Sequence, residues 1–97
     1  MKITFSPRAV ADLHSISAYL RPRSPQGAKR VRSAILATLA LLADFPLSGR
    51  RQTVEGVRKL ATRKYAYLIY YKIDEIADEI VIIAIQHGSR AREFEDL

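Results

Sequence analysis

The chain has 97 residues, enough for one domain around one hydrophobic core, and its 48% hydrophobic and 27% charged residues exclude a disordered polymer and a fibrous repeat. It contains no cysteine, which excludes a disulfide framework and a thiolate zinc cluster and suits a reducing cytoplasm. Its 16 Lys and Arg oppose 10 Asp and Glu, a net charge of +6, and the excess is uneven: Arg50, Arg51, Arg58, Lys59, Arg63, Lys64 and Lys72 face Glu55 alone, a positive field suited to phosphate backbones or an acidic partner.

Residues 2 to 5 alternate and are β-prone, so the chain opens on a strand instead of a leader segment, and its longest apolar runs are too short to span a bilayer. Ser6-Pro7 then supplies a helix N-cap followed by proline at the first helical position. Val10, Leu13, Ile16 and Leu20 recur at helical spacing and predict a helix over 7–20, broken at Arg21-Pro22-Arg23 where proline removes an amide donor. Ser24-Pro25 repeats the start signal, and Ala28, Val31, Ile35, Leu39 and Leu42 mark the buried side of a second helix reaching Ala43. Leu36 and Leu41 lie off that stripe, a surplus that serves either a wider core or a partner surface.

Residues 44 to 50 read as a loop, with Pro46 forbidding further helix. Strands are expected over 57–63, 65–73 and 80–86, with a polar turn at 74–79. In the middle strand Tyr65, Tyr67, Ile69, Tyr71 and Ile73 share one face, and Ala66, Leu68, Tyr70 and Lys72 the other. The last strand is apolar on both faces, as a central strand is. The expected fold is therefore α+β over residues 1–97 as a single domain: an N-terminal strand, a two-helix hairpin, then a three-stranded antiparallel meander. In this arrangement the helices cover one face of the sheet and nothing in the sequence is left to cover the other. The tail from His87 to Leu97 is expected to be a short helix or frayed.

Several chemistries fail on the residues available. His14 and His87 on unrelated elements make no metal site, the four glycines form no phosphate loop, no G-x-S-x-G elbow occurs, and the acids sit in a turn and a tail. No cofactor is expected. What survives is a basic surface bearing aromatic residues. Arg58 and Arg63 flank one strand, His87 and Arg90 follow the last one, and antiparallel pairing is expected to draw them toward one another. In an RNA-cleaving site His87 would move the proton while Arg58, Arg63 and Arg90 stabilised the charged phosphorane. The competing structural roles are a hydrogen bond for His87, ion pairs for the arginines and cross-strand packing for the tyrosines.

The segments FSPRAVADLHSISAYL, LLADFPLSGR, GVRKLATRKYAYLIYYKID and IVIIAIQHGSR, taken in order, resemble the ParE branch of the RelE/ParE toxin superfamily over nearly the whole chain. The resemblance implies a bacterial type II toxin–antitoxin system whose toxin is held inactive by the C-terminal segment of a cognate antitoxin. It also implies a target: ParE-like toxins poison DNA gyrase, whereas RelE-like relatives cleave messenger RNA in the ribosomal A site with basic residues and a late tyrosine or other acid/base. Here the last tyrosine is Tyr71 and Phe94 is the aromatic residue of the tail, which favours gyrase over RNA. Leu36, Leu41, Arg58, Arg63 and Tyr70 are the expected partner contacts, met by a small acidic antitoxin segment in a hetero-oligomer.

Overall fold

Two serines set the corners of the helical half. The computed structural model describes residues 1–89, and in it β1 (Lys2–Phe5) turns at Ser6 into α1 (Pro7–Arg23), which turns at Ser24 into α2 (Pro25–Asp44). The Ser6 hydroxyl accepts from the Ala9 amide at 3.1 Å and the Ser24 hydroxyl from the Gly27 amide at 3.0 Å, satisfying N-terminal donors that no helix can satisfy itself. Ser24 also closes α1, its amide donating to the Leu20 carbonyl at 2.7 Å. Helix α1 runs three residues beyond the expected end because Pro22 falls in the last, solvent-facing turn, where its missing donor is the whole cost. There Arg23 lies over the Tyr19 ring at 3.9 Å and donates to the Tyr19 carbonyl at 2.8 Å.

The rest of the chain forms β2 (Arg50–Arg51), β3 (Arg58–Ala61), β4 (Tyr67–Asp74) and β5 (Glu79–His87), and the sheet order is β1-β5-β4-β3-β2. β1 lies parallel to β5 and every other pair is antiparallel, as the expected hairpin and meander require. β2 is a two-residue strand inside what reads as loop. β4 starts at Tyr67 instead of Tyr65 because Tyr65 and Ala66 take φ of 69° and 52° in a left-handed turn, which Thr62 closes by donating its amide to the Tyr67 carbonyl at 2.8 Å.

Ala9, Val31, Ile35, Leu39 and Leu42 from the helices bury against Tyr67, Ile69, Tyr71, Ile80, Ile82 and Ile85 from the sheet. The register of β4 on β5 slips where Tyr70 pairs with Ala84 and Tyr71 with Ile82, so Ile83 is an extra residue. The slip sends Ile82 and Ile85 to the helices and places Ile83 and Ala84 on the opposite face. There Val57, Tyr70 and Ala84 are buried, with Leu68 and Ile83 packed on them. The second face is thus not left open, and this corrects the sequence expectation: Tyr70, 2% exposed, is a core residue of that face and not a surface contact.

The strand order leaves β5 with a problem that α1 solves. β1 pairs with β5 only as far as Phe5 with Ile82, yet β5 continues to His87. Beyond that point the Ser6 amide and hydroxyl donate to the carbonyls of Ile82 and Ile83 at 2.9 and 2.8 Å, and the Ile85 amide donates to Asp12 Oδ2 at 2.9 Å. The second carboxylate oxygen of buried Asp12 receives Arg8 Nε at 2.9 Å. The Ser6 cap and the Asp12 side chain therefore replace the missing strand, and the position of the helix on the sheet is fixed by hydrogen bonds as well as by burial.

A second tether holds the loop between α2 and β2. The Tyr71 hydroxyl donates to the Pro46 carbonyl at 2.7 Å and accepts from the Gly49 amide at 2.8 Å, while Arg58 Nη1 donates to the carbonyls of Gly49 and Leu47 at 2.9 and 3.3 Å. Burial raises the Tyr71 phenol above its usual range, against the lowering effects of the Gly49 amide, Arg58 and Ser48, so it remains a neutral donor. A Cβ at residue 49 would lie 2.5 Å from the Tyr71 oxygen, which is why glycine stands there.

Two stability measurements follow. Asp12→Ala strands the Ile85 amide and removes one partner of Arg8; we expect a loss of about 2–4 kcal/mol in denaturant unfolding, with Asp12→Asn losing less. Gly49→Ala drives a Cβ into the hydroxyl and ring edge of Tyr71 and should cost about 1–3 kcal/mol, a loss that Tyr71→Phe does not recover because the ring carbons at 2.6 and 2.9 Å remain.

Candidate functional site: a cationic groove and a tethered loop

The fold sorts the basic residues into two groups. The first lies on the β2–β3 ladder, where Arg50 stands opposite Lys59 and Arg51 opposite Arg58. Like charges directly opposed across strands are destabilising. Among the described residues Arg8 and Asp12 form an ion pair, while Arg50, Arg51 and Lys59 have no carboxylate partner. Arg58 differs because its guanidinium is engaged by the loop carbonyls described above.

The second group surrounds a groove of about 520 Å³ between α2 and the turn after β3. Ala34, Ala37, Leu41 and Ala61 give it an apolar lining, and Lys29, Arg30, Arg63 and Lys64 supply the charge. Tyr65 reaches it because of its left-handed backbone. Of the expected partner residues the structure brings Leu41 and Arg63 together here. Leu36 is 52% exposed on α2 but outside the lining, and Arg58 belongs to the loop tether. The contribution of Lys29 and Arg30 was missed from sequence, although both sit on the α2 face that carries Ser33, Ala37 and Leu41.

His87 ends β5 beside Tyr67, their ring centroids 5.3 Å apart at an interplanar angle of 87°. Its Nδ1 receives the Ser89 amide at 3.1 Å and lies 2.9 Å from the Ser89 hydroxyl. An amide only donates, so Nδ1 is an acceptor and the neutral ring carries its proton on Nε2. The Tyr67 phenol is raised by burial first and by Tyr19 second, so it too stays protonated. Arg58 lies level with Tyr71 and Ile82, two strands across and roughly 15 Å along the strand direction from His87. Arg63 is at the same end of the sheet as His87 but lines the groove against α2, and Arg90 lies outside the described residues. The proton-transfer residue and the strand arginine expected to converge are therefore held apart. Among the described residues no three His, Asp or Glu side chains are grouped to hold a metal ion, and no helix is long and apolar enough to cross a membrane.

Known proteins resemble this chain throughout its length. Residues 3–92 match the family described as "ParE toxin of type II toxin-antitoxin system, parDE". The putative toxin Y4kP of Sinorhizobium fredii is 30% identical over 87 residues, which is 90% of this chain and 88% of that protein. Toxin RelE2 of Caulobacter vibrioides is 31% identical over 90 residues, 92% of this chain and 97% of that one. The toxin fold recurs in the chromosomal ParDE system from P. aeruginosa, with a TM-score of 0.76 at 23% identity over 90% of this chain and 95% of that chain. With the family match spanning nearly every described residue and two toxins at this level of identity, the chain belongs to the ParE toxins of type II toxin–antitoxin systems, within the RelE/ParE superfamily.

Proposed function

We propose that this toxin stops growth by binding DNA gyrase, and that a cognate antitoxin neutralises it by occupying the groove beside α2. The observation that carries the target reading is the separation of Arg58 from His87: a ribonuclease needs proton transfer and phosphorane stabilisation at one phosphate, and the strand arginine is spent on loop carbonyls. A protein-binding toxin needs no such convergence. The family match supports the same reading. The antitoxin seat rests on the groove's chemistry, since an amphipathic acidic segment would bury apolar residues on Ala34, Ala37 and Leu41 and present carboxylates to Lys29, Arg30, Arg63 and Lys64. Several related solved structures are toxin–antitoxin complexes, including the RelBE2 complex of Mycobacterium tuberculosis.

Early sampling of cells after toxin induction separates gyrase from the ribosome. We expect stalled replication and gyrase-linked DNA breaks while messages remain intact; cut messages appearing first would overturn the gyrase reading. His87→Ala should retain growth arrest to within about twofold, because no proton transfer is required of it. For the antitoxin seat, Leu41→Asp should weaken antitoxin binding at least tenfold by calorimetry. Unmodified toxin should gain about 2.7 kcal/mol of stability at antitoxin concentrations one hundred times Kd. An unchanged affinity in Leu41→Asp would place the antitoxin elsewhere.

A further inference from the structure

The hairpin between β4 and β5 carries an apolar residue that does nothing inside the molecule. Ile76 at its tip is 100% exposed, more than any other large hydrophobic side chain described. The turn around it is nonetheless ordered. Asp74 Oδ1 accepts from the Ile76 and Ala77 amides, each at 3.1 Å, and the Asp78 carbonyl accepts from the Lys2 amide at 3.3 Å. Asp74, Glu75, Asp78 and Glu79 flank Ile76 in the chain, with Asp74 directly opposite Glu79 across the strands. Among the described residues none of these four carboxylates forms an ion pair, although Lys2 and Lys72 stand on the strands behind them. In a chain of net charge +6 this is a concentrated acidic patch around an apolar centre.

The groove beside α2 is its chemical counterpart. Lys29, Arg30, Arg63 and Lys64 line it around Ala34, Ala37 and Leu41, and no acid is among its described lining residues. Tip and groove cannot meet within one molecule: Ala61, after which the chain turns toward Arg63, pairs with Leu68, six residues and roughly 20 Å along β4 from Asp74. We propose that the hairpin tip of one toxin seats in the α2 groove of a second copy, with Ile76 on Ala34, Ala37 and Leu41 and the four carboxylates among the four cations. The ordered turn suits this role, because burying its apolar tip requires little further loss of freedom. As the two surfaces differ and lie at opposite ends of the sheet, the contact is head-to-tail and repeats past a dimer. The inference goes beyond the antitoxin reading and shares only the groove with it: where both hold, free toxin and antitoxin compete for one seat.

A hairpin tip buries less than a standard interface, so the contact is transient and is read by sedimentation of the full-length toxin alone over about 5 to 500 μM. The weight-average mass should climb from the monomer past that of a dimer, and fall back in about 500 mM NaCl, where the Debye length is about 4 Å. Ile76→Ser and Glu75→Arg in the tip, and Arg63→Glu in the groove, should each weaken association at least tenfold with circular dichroism unchanged. Mixing Ile76→Ser with Arg63→Glu gives the decisive result. One variant keeps its groove and the other its tip, so association should return and stop at a 1:1 dimer. A monomer at every concentration would overturn the proposal, as would a mixture that stays monomeric while the unmodified toxin assembles. Assembly that survives both tip variants but is lost in Glu95→Lys would seat the acidic C-terminal residues in the groove and equally overturn it. The two readings fail separately: calorimetry of Leu41→Asp decides the antitoxin seat, and sedimentation of toxin alone decides this contact.

Discussion

The fold depends on how the β5 backbone is shared. β4 satisfies one of its edges along the full length, but the other edge passes from β1 to α1 partway, at Ile82. Ser6 and Asp12 make that transfer possible, the first by carrying both a helix cap and two bonds to β5, the second by holding the Ile85 amide inside a buried carboxylate. Without them β5 would need a longer β1, and the first helix would have no fixed station over Ile80, Ile82 and Ile85. The register slip at Ile83 belongs to the same region, because it allows one strand to serve the helix-side core and the Tyr70 cluster in turn.

With the interior settled this way, the charged residues are largely free of structural duty. Asp12, at the helix end of the sheet, engages Arg8, and Arg58 is built into the loop tether. The remaining cations of the ladder and the groove sit where neighbours of the same sign make their burden worse. A chain that keeps such an arrangement gains stability when an anionic surface covers it, and this is the physical sense in which toxin and antitoxin suit one another. Apolar Leu41 and Phe45, one turn apart, link the groove to the loop.

Most of the fold was legible in the residues. The paired Ser-Pro signals, the 28–42 stripe and the three β-prone runs locate both helices and the long strands, because caps and periodicity are local properties. What was not legible is non-local or conformational. The left-handed turn at Tyr65 and Ala66 shortens β4 against its own β-propensity, and the Ile83 slip buries Tyr70 on a face that alternation alone leaves open. Asp12 lies within the first segment of the family resemblance, but nothing there marks it as a buried acceptor, since its donor lies 73 residues away. The groove joins α2 to a turn across the sheet, and no spacing in the chain announces that Lys29 and Arg63 line one space. Arg58 looked like a ligand-binding cation because the loop carbonyls that claim it are invisible in sequence.

The central claim is that the clustered cations repel one another in the free toxin and are relieved by partners. The most direct measurement is the melting temperature of the isolated toxin between 50 and 500 mM NaCl, over which the Debye length shrinks from about 14 to about 4 Å. Screening should raise Tm as like-charge repulsion fades, while the same salt range weakens antitoxin binding. A Tm that falls with salt would mean that internal ion pairs hold these residues in place, and would contradict the account.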